Sequence, residues 1–90
     1  MLEGVYSTKF KKDYKLMQKR KLKMEKLINV MKDLEAEVPL KLHQREHPLV
    51  SNYKGFMECH VEPDWLLIYK IDVDAREIYF SRTGTHADLF

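Results

Sequence analysis

The spacing of apolar side chains changes along this chain, and each change marks an element. Phe10, Tyr14 and Met17 recur at intervals of four and three, drawing one apolar stripe along a helix. Met24, Leu27, Ile28, Met31 and Leu34 draw a second stripe, and the run Lys19-Arg20-Lys21 marks the bend between the two helices. Ser7 or Thr8 can cap the first helix, and Val38-Pro39 ends the second. Ahead of them, Leu2 to Ser7 carries Val5 and Tyr6 and reads as a short strand. From Gly55 to about Glu62 the period falls to two: Met57, Cys59 and Val61 alternate with Glu58, His60 and Glu62. Pro63-Asp64 is a turn. Trp65 to Asp72 is apolar at nearly every position, the pattern of a strand covered on both faces. Asp72-Val73-Asp74-Ala75 turns the chain again. Glu77 to Arg82 then sets Ile78, Phe80 and Arg82 against Glu77, Tyr79 and Ser81, and Gly84 breaks the strand before a short tail to Phe90. Residues 39–54, with Pro39, Pro48, Ser51 and Asn52, read as a loop.

This order predicts one α+β domain over residues 1–90. An N-terminal strand and a helical hairpin pack on a mostly antiparallel sheet with a three-stranded C-terminal meander. Ninety residues are enough for a single core. No apolar run approaches the ~20 residues that cross a bilayer, and the first residues lack the layout of a signal peptide. Cys59 is the only cysteine, so no internal disulfide is possible; a buried thiol in a reducing, cytoplasmic setting is expected.

Charge sharpens the picture. The chain carries sixteen Lys and Arg against fourteen Asp and Glu, for a net charge of +2. Residues 1–45 hold twelve basic and six acidic side chains, and residues 46–90 hold four and eight. Nine of the basic residues fall between Lys9 and Lys26. Such a run is either a solvated helix face or a phosphate-binding surface, with Lys11, Lys12, Lys15 and Lys19 as its outward members.

The meander brings chemistry together. The end of one strand, the start of the next and the end of the third share one sheet edge. Those positions are His60, Asp64-Trp65 and Arg82, and the tail carries His86 from the same edge. Histidine and aspartate can serve as acid and base, arginine matches phosphate oxygens, and Trp65 and Phe90 can stack on bases. That set suffices to cleave RNA through its 2′-OH without a metal. Each residue also has a structural reading: His60 at a strand end, Asp64 in a turn, Trp65 in the core, Arg82 paired with Glu58 or Asp88, His86 on a loose terminus. Parity alone leaves open which face each side chain takes, because a one-residue bulge reverses it.

No cofactor or metal is expected. His43 and His47 have the i, i+4 spacing of a helical zinc pair, but Pro48 and the loop composition argue against a helix there. Three glycines form no phosphate-cradling loop.

The chain resembles the RelE/ParE toxin superfamily, most closely the YafQ-type messenger-RNA interferases. The resemblance rests on Glu46-His47-Pro48-Leu49, Lys54-Gly55-Phe56, His60-Val61-Glu62-Pro63-Asp64-Trp65, Leu67-Ile68-Tyr69-Lys70, Arg82-Thr83-Gly84-Thr85-His86 and Leu89-Phe90, with the basic hairpin of Lys15-Leu16 and Gln18-Lys19-Arg20. It implies a cytoplasmic toxin of a bacterial type II toxin–antitoxin pair that enters the 70S ribosome and cuts mRNA. It implies His47, His60, Asp64, Arg82 and His86 as catalytic positions, with Trp65 and Phe90 near the substrate. His86 would be the general acid, Asp64 or His60 the base, and Arg82 the phosphate ligand. It also implies a cognate antitoxin that contacts operator DNA through its own domain, and no membrane partner. Met57 departs from the pattern, since relatives carry Arg there. The alternative is a ParE-like toxin that binds and inhibits DNA gyrase, but a binding inhibitor has no need of a paired acid and base. A third reading is an inactive RNA-binding module.

Overall fold

The computed structural model describes residues 1–90, apart from the side chain of Ser51. Its elements are β1 (Glu3–Tyr6), α1 (Thr8–Lys19), α2 (Met24–Glu35), β2 (His47–Pro48), β3 (Met57–Glu62), β4 (Trp65–Asp72), β5 (Glu77–Gly84) and α3 (His86–Leu89). The strands form one sheet in the order β1-β5-β4-β3-β2. β1 runs parallel to β5, and every other pairing is antiparallel. The expected α+β arrangement, with its helical hairpin and C-terminal meander, is the one observed.

Local chemistry explains the hairpin. Ser7 caps α1, its hydroxyl oxygen accepting the Phe10 N–H at 2.9 Å. The same hydroxyl donates to the Ser81 carbonyl at 2.7 Å, which ties the start of α1 to β5. Lys21 takes φ 61° just past the helix, so the basic run does turn the chain. α1 buries Phe10 and Met17, and α2 buries Leu27, Val30, Met31 and Leu34. They pack on Cys59, Trp65, Leu67, Tyr69, Ile78 and Phe80 from one face of the sheet. Val30 completes the α2 stripe in place of Ile28, which lines a groove between the helices. Burying each of these large side chains contributes ~1.5–3 kcal/mol.

The structure corrects the pattern in four places. First, residues 39–54 are not one loop. They contain two short 3-10 turns, Leu42–Gln44 and Ser51–Tyr53, and the two-residue strand β2. A strand that short has no periodicity to read; it exists because His47 and Pro48 pair with Glu58 and Met57. Second, Gly84 does not break the last strand, which runs through to it. Third, the tail is the helical turn α3, capped by Thr85, whose hydroxyl oxygen accepts the Asp88 N–H while Asp88 accepts the Thr85 N–H. Fourth, β5 carries a bulge. Phe80 stands opposite Tyr69 while Arg82 stands opposite Ile68, so Ser81 is the extra residue. The bulge removes Arg82 from the face of Ile78 and Phe80 and turns Thr83 into the core.

Candidate active site

The sheet sorts its side chains by face. Cys59, Leu67, Tyr69 and Phe80 point at the helices. Their neighbours Glu58, His60, Leu66, Ile68 and, past the bulge, Arg82 therefore take the opposite face. Pairing β2 on β3 adds His47, directly across from Glu58.

Three imidazoles and two carboxylates meet there. His47 Nε2 lies 3.0 Å from Glu58 Oε1, and its Nδ1 lies 3.2 Å from the Pro48 carbonyl. His60 Nε2 lies 3.7 Å from the same Glu58 oxygen. Its Nδ1 faces the Pro63 carbonyl at 3.2 Å, and since a carbonyl only accepts, the turn after β3 favours a proton on Nδ1. The His60 ring is 6.4 Å from that of His47 and 5.9 Å from that of His86. His86 Nδ1 meets Asp64 Oδ1 at 2.5 Å, and the His86 backbone N–H donates to that oxygen at 3.0 Å. These two bonds, the backbone one foremost, hold the Asp64 carboxyl below the usual carboxylate range. A carboxylate so engaged is suited to orienting an imidazole rather than to taking a proton from substrate.

Glu58 is the residue that the sequence reading passed over. It is buried, with 5% of its surface exposed, yet it contacts both His47 and His60. Its spacing from His60, two residues along a strand, places both on one face, and that was the available signal. Behind it, the buried Tyr69 hydroxyl donates to Glu46, the neighbour of His47 in the chain. Burial, and then that carboxylate, raise the Tyr69 pKa far above its ordinary value. Cys59 is fully buried, and burial pushes its thiol up to about 12, which removes it as a nucleophile.

Two expectations need correction. Arg82 pairs with neither Glu58 nor Asp88. Its Nε donates to Asp13 Oδ2 at 2.7 Å and its Nη2 to Asp13 Oδ1 at 3.2 Å, reaching α1 past the end of β1. The Asp13 hydrogen bond foremost raises the arginine pKa. Trp65 is not a stacking platform: it faces the helices, is 2% exposed, and donates its indole N–H to Thr83 Oγ1 at 3.0 Å. His43 stands apart from the other histidines, in a 3-10 turn. Among the described residues, the possible metal ligands that do converge are His47, Glu58 and His60, whose donor atoms lie within 4.8 Å of one another. Two imidazoles and a carboxylate could hold a divalent ion such as zinc, with positions left open.

Phe90 is exposed beside Tyr53, their rings 5.9 Å apart and edge to face. Lys11, Lys12, Lys15 and Lys19 are all exposed on α1. Lys11 and Lys15 border the apolar groove between α1 and α2. No helix among the described residues is long and apolar enough to cross a membrane.

Known proteins are similar to this chain over nearly its whole length. The family model described as the bacterial toxin of type II toxin–antitoxin systems, YafQ, matches residues 2–90. The mRNA interferase toxin YafQ of Escherichia coli strain B / BL21-DE3 is 49% identical over 94% of this chain and 91% of its own length. The crystal structure of that strain's YafQ superposes with a TM-score of 0.92 at 45% identity, covering 100% of this chain and 99% of the other. In the crystal structure of the E. coli DinJ–YafQ complex, the matching chain gives a TM-score of 0.90 at 46% identity, with 100% and 99% covered. With the match running over residues 2–90, the chain belongs to the YafQ family of toxins from bacterial type II toxin–antitoxin systems.

Proposed function

We propose that this protein is an mRNA interferase that cuts messenger RNA on the ribosome, by attack of a ribose 2′-OH on the adjacent phosphorus. The observation that carries this reading is the placement of the His86–Asp64 pair 5.9 Å, ring to ring, from His60. His60 Nε2 accepts the 2′-OH proton, with Glu58 beside it to balance the charge that forms. The 2′-oxygen bonds to phosphorus and the bond to the 5′-oxygen breaks. His86 Nε2 gives a proton to that leaving oxygen, while Asp64 holds Nδ1 and steadies the imidazolium. The products are a 2′,3′-cyclic phosphate and a 5′-hydroxyl. Asp13 occupies the Nε and one side of the Arg82 fork and Tyr53 lies against the guanidinium as well, which still leaves donors for the phosphate. His47 orients Glu58. No step calls for a metal.

The lysines of α1 supply salt-dependent contacts to ribosomal RNA. The partner that silences the protein is an antitoxin, as in the DinJ–YafQ complexes. An acidic, amphipathic antitoxin segment suits the groove that Lys11 and Lys15 border. Operator DNA is reached only through the antitoxin, and the working compartment is the cytoplasm.

The test is cleavage of mRNA on programmed ribosomes with both new ends mapped chemically. Ends of the cyclic-phosphate and 5′-hydroxyl type support the reading. Inhibition of gyrase supercoiling with no new RNA ends would replace it with the gyrase-binding alternative.

A further inference from the structure

The face that carries the histidines continues into a row of aromatic rings that the reaction does not use. Phe90, four residues after His86, meets Tyr53 at 5.9 Å, edge to face. Tyr53 meets Phe56 at 6.1 Å, and Phe56 meets Tyr79 at 6.4 Å. Lys70 stands across from Tyr79 in the sheet, its ammonium 5.5 Å from the centre of the Phe56 ring. Arg82 borders the row at Tyr53. Leu66, Ile68 and Leu89 form the buried floor beneath Tyr53 and Phe56. Phe90 and Tyr79, at the two ends, keep 65% and 38% of their surface exposed.

A core does not explain rings left in water at both ends of the row. Aromatic faces alternating with cations suit unpaired bases on a phosphate backbone. We propose that Tyr53, Phe56, Tyr79 and Lys70, together with Phe90, form a subsite for the single-stranded nucleotides flanking the scissile phosphate on one side. The bases stack on Phe90, Tyr53 and Tyr79, and Lys70 meets a phosphate. This rests on the nuclease reading, because the row begins at the general acid. The subsite reads the unstacked state of the strand more than its sequence, since every base offers a π face.

The test uses the whole protein, programmed ribosomes, and a short single-stranded RNA with a 2′-deoxy residue at the cleavage position. Tyr79→Thr and Lys70→Gln are compared with Tyr79→Phe, which keeps the ring. Tyr79→Thr is expected to weaken binding of the uncleavable RNA about fivefold to tenfold and to raise KM by a similar factor, with kcat at saturation little changed. Tyr79→Phe should bind as the unmodified protein does. Lys70→Gln lies on an exposed side chain and decides the matter if Tyr79→Thr does not fold; its affinity loss should shrink at high salt. Unchanged RNA affinity and KM in these variants overturn the subsite while leaving the nuclease standing. A fall in kcat alone, or lost antitoxin binding with RNA affinity intact, also overturns it. No cleavage by the unmodified protein sinks the nuclease reading instead.

Discussion

Asp13 in α1 grips Arg82 in β5 through two hydrogen bonds, of 2.7 and 3.2 Å, and takes the Thr83 N–H at 3.2 Å as well. The Asp13 and Arg82 side chains are 13% and 21% exposed, so this ion pair is largely shielded from water. One carboxylate thus clamps the helix to the strand, sets the direction of the guanidinium, and satisfies the backbone just past the bulge. Asp13→Asn is expected to cost about 1–3 kcal/mol of stability, the range for hydrogen bonds to charged groups. It should also slow cleavage, because Arg82 is then free to turn. Chemical denaturation and single-turnover cleavage on ribosomes measure the two effects. A variant as stable and as fast as the unmodified protein would remove the clamp.

His86 lies on an exposed helical turn and touches Asp64, not the core. His86→Gln should keep stability within about 0.5 kcal/mol. As loss of the general acid, it should slow single-turnover cleavage roughly 10²–10⁴-fold. Antitoxin binding should persist while growth arrest on expression disappears. Cleavage at the unmodified rate would show that His86 is not the acid. If the melting temperature falls sharply, His86→Asn repeats the comparison.

The donors of His47, Glu58 and His60 can gather a metal, but the proposed reaction needs their lone pairs free. With the ribosome's magnesium controlled for, a strong zinc chelator should leave the cleavage rate unchanged. Added zinc should slow it, and Glu58→Gln should weaken that inhibition. Loss of cleavage in chelator, restored by zinc, together with 5′-phosphate ends, would make the site a metal-dependent nuclease.

The Arg20 guanidinium foremost, and then the Thr85 N–H, hold the Asp88 carboxyl well below the usual carboxylate range; Asp64 is lowered in the same sense by His86. A carboxyl depressed in the fold adds stability that is complete above its unfolded pKa, about 3.9 for Asp, and is lost as pH falls through the folded value. Between neutrality and about pH 5, neither group should change stability. Below about pH 4 the melting temperature should fall, and fall less steeply in Asp88→Asn. Equal acid slopes for the two proteins would show that Asp88 contributes nothing.

Lys-to-Glu changes at Lys11, Lys12, Lys15 and Lys19 together should weaken ribosome association, and the unmodified protein should lose affinity steeply with salt. Co-sedimentation at two salt concentrations checks both. An unchanged quadruple variant would assign these lysines to solvation alone.

The sequence by itself determined the elements and their class. Helix and strand periods are local properties, carried by neighbours such as Phe10, Tyr14 and Met17 or by the alternation through Cys59. His60, Asp64, Arg82 and His86 were legible as a convergent set because a meander returns to the same edge whatever its details. The tertiary structure alone decided what each of them faces. The bulge at Ser81 shifts parity by one residue, which sends Arg82 to the open face and Thr83 inward, to meet Trp65. The partner of Arg82 lies 69 residues away, and no local pattern encodes so distant a carboxylate. β2 exists only because β3 offers it an edge, and without that pairing His47 would not meet Glu58. Periodicity reads which side chains share a face of one element; contacts between elements depend on register, and one inserted residue resets it.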